Sequence, residues 1–128
     1  MKIEVSVGEV FDKISILEIK SEKITDEVKL GYVVSELSIL RKTLKEHDVT
    51  IPDDLYERLK NVNSTLWDTE DIIRHAESMY NFDEVFIEHA RLDAKLNDER
   101  FLIKNEINNY CDSTIKEQKS YEKLYTTD

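Results

Sequence analysis

Residues 55–80 read LYERLKNVNSTLWDTEDIIRHAESMY, and this stretch decides the fold. Leu55, Leu59, Val62, Leu66, Thr69, Ile73, Ala76 and Tyr80 recur in alternating steps of four and three residues. A helix advances about 100° per residue, so these positions fall on one side and form a coiled-coil-like seam. A half-buried strand would instead alternate with period two. Neither Gly nor Pro interrupts the run. The reading is one helix of close to 40 Å, at about 1.5 Å per residue.

The flanks extend the pattern. His47–Pro52 reads as a linker, and Asp54-Leu55-Tyr56-Glu57 has the spacing of a capping box that opens helix 3. Asn81-Phe82-Asp83-Glu84 has the same spacing and opens helix 4, predicted to run to about residue 110. Its apolar face holds Phe82, Val85, Phe86, Leu96, Ile103, Ile107 and Tyr110. The loop between helices 3 and 4 is short, so they are predicted to pair as a long antiparallel hairpin. Upstream, Ser6-Val7-Gly8-Glu9 caps helix 1, and Val7, Val10, Phe11, Ile14 and Leu17 mark its face. Thr25-Asp26-Glu27 starts helix 2, whose face is Leu30, Val33, Leu37, Leu40 and Leu44. The predicted fold is all-α: one helical domain over 1–128, an antiparallel bundle of about four helices. The tail, 111–128, is expected to dock through Ile115, Tyr121, Leu124 and Tyr125 or to stay flexible.

Composition agrees. Only Gly8, Gly31 and Pro52 supply the backbone conformations that many-turned sheet folds need. The net charge of −10 disfavours direct binding to a phosphate backbone, which takes a basic face. Cys111 is the lone cysteine, so no disulfide framework is read. The first residues lack a signal pattern and no stretch has a membrane span's length, which points to the cytoplasm with no membrane contact. No Glu is followed three residues later by His, and the histidines have no metal-site spacing. No metal, cofactor or catalytic motif is read, and enzymatic activity is left open.

The candidate site consists of polar groups at core-facing phases. Glu18 lies within the stripe of helix 1, and Arg41 at the stripe edge of helix 2. On helix 3, Asn63, Trp67, Glu70 and Arg74 form a row beside the seam. On helix 4, His89, Asp93 and Arg100 fall among the apolar positions, flanked by Asn97 and Lys104. A charge buried alone costs several kcal/mol, so these groups must pair, bind something or reach water. Two readings stand. One is a closed ion-pair network that fixes helix register. The other is a pocket that holds a small anion through Arg74, Arg100 and Lys104, since guanidinium geometry suits carboxylate and phosphate. The ligand-binding candidates are Glu18, Trp67, Glu70, Arg74, Asp93, Asn97, Arg100 and Lys104.

Ser6–Ile24 (SVGEVFDKISILEIKSEKI), Val62–Glu77 (VNSTLWDTEDIIRHAE), Asn97–Asn108 (NDERFLIKNEIN) and Glu117–Tyr121 (EQKSY) resemble a family of short helical proteins from bacteria and phages. That family is classed as a domain of unknown function. The resemblance implies that Glu18, Lys20, Trp67, Glu70, Asp71, Arg74, Asn97, Asp98, Arg100 and Lys104 are motif positions. It implies no activity. The stretch Leu92–Leu96 (LDAKL) departs from the pattern and leaves Asp93 outside it.

The leading functional reading is a non-enzymatic binding or assembly module that forms homo-oligomers through its long hairpin. The alternative is a small-anion-binding protein or enzyme, taking a carboxylate, phosphate or nucleotide sugar in an Arg/Lys-lined pocket. A third reading, an acidic mimic of nucleic acid, needs carboxylates spaced like phosphates along one face. The acids are instead spread along the chain.

Overall fold

The computed structural model describes residues 1–120. It contains α1 (Val7–Lys23), α2 (Glu27–Glu46), α3 (Asp53–Ser78) and α4 (Glu84–Tyr110), with no strand among the described residues. The all-α bundle and the α3–α4 hairpin agree with the sequence reading. None of the helices is long and apolar enough to cross a membrane.

The first helix is the hub. It packs against α2, α3 and α4, whereas α2 packs on α1 alone. Two apolar cores follow. Phe11 meets Leu55, Leu59, Ile103 and Ile107 between α1 and the hairpin. Ile14 and Leu17 meet Val33 and Leu37 between α1 and α2. Burial of such side chains contributes about 1.5–3 kcal/mol each.

Side-chain caps set most helix starts. Ser6 Oγ accepts from the Glu9 amide at 3.1 Å, as the sequence predicted. The reciprocal half of that capping box is absent, because Glu9 pairs with Lys104 instead. The other two boxes are corrected. Pro52, with no side-chain bond, stands at the N-cap of α3, one residue before Asp53. Its fixed φ suits a helix start, and the chain turns there without help from Asp54. At α4 the cap is Asp83, which accepts from the Phe86 amide at 3.1 Å, not Asn81.

The ends of α2, α3 and α4 share one geometry. Asp48, Tyr80 and Asp112 adopt positive φ, and the next amide in each case donates back five residues, to Leu44, Ala76 and Asn108. This is the Schellman arrangement, in which glycine is the usual left-handed residue. The chain builds it three times without one, which accounts for the scarcity of glycine. The left-handed conformation costs an ordinary residue about 1–2 kcal/mol. Tyr80 is the bulky case.

The predicted seam on α3 is buried over only part of its length. Leu55, Leu59, Leu66 and Thr69 are buried, Ile73 and Ala76 are half-buried, and Tyr80 is 84% exposed. On α4, Leu96, Ile103 and Ile107 are buried, while Val85 and, just before the helix, Phe82 are exposed. The reason is length. The hub helix has 17 residues against 26 and 27 in the hairpin, so it runs out before the hairpin does. The overhang is on the order of 15 Å at about 1.5 Å per residue. We call 70–95 the arm; not one of its residues is buried. In the tail, 111–120 is non-helical and Ile115 is exposed. Tyr121, Leu124 and Tyr125 lie outside the described residues.

Candidate functional site

A buried polar cluster joins three helices. Asp12 on α1 is 1% exposed. Its carboxylate receives both Nε (2.9 Å) and Nη2 of Arg100 on α4. Asn63 Nδ2 on α3 donates to Asp12 Oδ1 at 2.9 Å and to Ser15 Oγ at 2.7 Å. Ser15 Oγ in turn donates to the Asp12 carbonyl at 2.8 Å. Nε and Nη2 of Arg100, the Asn63 amide and the Ser15 hydroxyl are all matched in a buried setting, where bidentate Arg–carboxylate geometry is strong. The Asp12 bond holds the Arg100 guanidinium above its ordinary pKa against the opposing effect of burial, so it stays charged.

Close approach of α4 makes the cluster possible. The Gly8 amide donates to Asn108 Oδ1 at 2.7 Å. A Cβ on Gly8 would lie 2.6 Å from the Lys104 carbonyl oxygen. One turn along, the Lys104 ammonium bonds Glu9 at 2.8 Å and Glu117 at 3.0 Å. Burial pulls the Lys104 pKa down, but the bonds to Glu9 and Glu117 outweigh it and leave the value raised. Glu9, Asn97, Arg100, Phe101, Lys104, Glu117 and Lys119 surround a polar cleft of about 220 Å³. A larger open groove, about 840 Å³, runs between α3 and α4 past Arg58 and Glu106. It contains none of the predicted site residues and no buried charge, and the smaller cleft is chemically the richer of the two.

The eight predicted residues divide among several places. Asn97, Arg100 and Lys104 line the polar cleft. Glu70 and Asp93 face each other across the root of the arm, with Asn97 donating to the Asp93 carbonyl at 3.0 Å. Trp67 is half-buried on α3, just before Glu70. Glu18 is elsewhere, paired with Arg41 (3.3 Å) and Lys60 (3.7 Å) where α1 meets α2 and α3. Arg74 is exposed, within electrostatic reach of Glu70 but in no ion pair among the described residues. His89 turns to its own helix, with Nδ1 2.7 Å from the Val85 carbonyl oxygen, not to Asp93.

The sequence reading missed Asp12, Ser15, Asn108 and Gly8 as site residues. A signal was present: Gly8, Asp12, Ser15 and Ile19 fall within about 60° of one another around α1. A face of small and polar residues reads as solvated, yet small side chains also let a neighbouring backbone come close.

Glu70 carries a pH dependence. Burial first, then the Asp93 charge, raises its carboxyl pKa. A raised folded-state pKa means the native state holds the proton more tightly. The associated stability is present in full below the ordinary carboxylate range and is lost as pH rises through the raised value. Glu70→Gln keeps a donor for Asp93 and removes the charge. Since Glu70 is partly solvated, the expected gain at neutral pH is only about 0.5 kcal/mol, vanishing in acid. Thermal melts of both chains across pH check it; a gain that persists in acid would contradict this assignment.

Among the described residues, no group of three or more His, Cys, Asp or Glu side chains could hold a metal ion. No nucleophile–base pair is formed either, and the arrangement offers charge pairing and hydrogen bonding. No curated protein and no solved structure matches the chain. The model of a family of unknown function, DUF6165, matches residues 1–128, and the chain belongs to that family.

Proposed function

We propose that this protein is a non-enzymatic helical binding and assembly module that self-associates, the arm of one copy lying against the outer face of α2 in another. The observation that carries the reading is the arm itself: 70–95 has no buried residue, yet its tip displays Met79, Tyr80, Phe82, Val85 and Ile87. An exposed apolar patch on the order of several hundred Å² marks an interaction site. Tyr80 is the most exposed of these and is held at φ 51°, a left-handed geometry shared with Asp48 and Asp112.

The outer face of α2 is the matching surface. Val28, Tyr32 and Ile39 are exposed, and their spacing places them on one side of the helix. Charge favours the match: the arm has seven acids against three Lys/Arg, while α2 has four Lys/Arg against three acids. Opposite potentials orient such contacts. Two of them, arm to α2 and α2 to arm, close a two-fold dimer.

Sedimentation velocity of the full chain is the test. We expect a dimer that dissociates on dilution, and a monomer for the Tyr80→Glu, Val85→Glu double variant with helix content unchanged. A parent chain that stays monomeric at high micromolar concentration would overturn the proposal.

A further inference from the structure

We infer that the cleft between α1 and α4 is a binding site for a small carboxylate, and that Glu117 occupies it as an internal stand-in for the ligand. This inference is independent of self-association. Lys104 is the central group: its side chain is 9% exposed, and its ammonium has two carboxylate partners of different kinds. Glu9 comes from α1 and is fixed by the helix. Glu117 comes from the non-helical segment that follows α4. That segment brings its carboxylate between two lysines, Lys104 at 3.0 Å and Lys119 at 2.6 Å. The Lys119 bond first, with help from Lys104, holds the Glu117 carboxyl below its ordinary pKa, so it is an anion at neutral pH.

A foreign carboxylate can make the same exchange of partners. It would take the Glu117 position on Lys104, and Glu117 would move to water, leaving the charge of the cleft unchanged. The exchange breaks no bond between one helix and another. The cleft also has donor capacity to spare. Arg100 uses Nε and Nη2 on Asp12, and its Nη1 makes no hydrogen bond among the described residues. Phe101, over whose ring the Lys119 ammonium lies at 5.9 Å, supplies an apolar wall for the ligand's carbon chain.

An internal occupant lowers apparent affinity by the fraction of time that it fills the site. Glu117→Gln removes its charge without touching the buried cluster. The probe is propionate, the carboxylate fragment of a glutamate side chain, titrated into the full-length chain and followed by amide chemical shifts. We expect Glu117→Gln to bind propionate about tenfold more tightly than the parent. The shifts should centre on Asn97–Lys104, and adding Lys119→Ala should weaken binding again. Equal affinity in parent and Glu117→Gln chains, or no saturable binding in Glu117→Gln, would overturn the inference. Shifts centred away from α4 would do the same.

Discussion

Replacing Asp12 with alanine is expected to destabilise the protein by about 3–5 kcal/mol, the cost of breaking a buried ion pair from one side. The change strands several groups at once. Arg100 loses both of its Asp12 bonds, and Asn63 loses one of its two acceptors. Arg100 cannot shed its proton to escape, because guanidinium does not deprotonate in proteins. With typical domain stabilities of about 5–15 kcal/mol, much of the folded margin would go. Urea unfolding followed by circular dichroism measures it. A companion variant separates pair from packing: Asp12→Leu with Arg100→Met should recover much of the loss, since apolar replacement of a whole buried pair is often neutral. A single-site loss below about 1 kcal/mol would mean that water reaches the pair.

Gly8→Ala is the second large effect. In most exposed helix positions alanine improves on glycine by about 1 kcal/mol. Here the added Cβ would lie 2.6 Å from the Lys104 carbonyl oxygen and 2.9 Å from Asn108 Oδ1. The first of these is backbone in a packed helix, so α1 and α4 must move apart. We expect a net loss of about 2 kcal/mol from overpacking. Gly31 on α2 is the internal control, since nothing lies within 4 Å of its would-be Cβ. Gly31→Ala should stabilise by up to about 1 kcal/mol. Opposite signs for the two glycines are the outcome expected in parallel thermal melts; a gain at both would remove the close α1–α4 approach.

Much of this architecture was legible in the residues. Apolar period, the Ser6 cap and the shortage of turn residues specify four helices and a hairpin, because each depends on local geometry. Depth was not legible. The heptad from Leu55 to Tyr80 says which side of α3 is apolar, but not where its partner ends. The 17 residues of α1 set that limit. The site was legible in part for a similar reason. Arg100 and Lys104 stand out as cations among apolar residues of α4, whereas Asp12 is recognisable only once Gly8 and Ser15 are understood as room for another helix. Helical phase puts Arg74 beside the seam, and it is exposed because the seam itself is uncovered there.

The buried polar cluster and the arm occupy different parts of the molecule. Asp12, Arg100 and Asn63 tie α1 to both hairpin helices and fix the direction in which the arm leaves the bundle. In the proposed assembly, the arm presents its tip to a second copy. Mixing two association-deficient chains tests this most directly. One carries Tyr80→Glu and Val85→Glu on the arm; the other carries Tyr32→Glu on α2. In a mixed pair, one intact arm still meets one intact α2 face. We expect each chain alone to sediment as a monomer and the mixture to form a dimer. Two chains that remain monomeric when mixed, at concentrations where the parent dimerises, would contradict the arm-to-α2 contact.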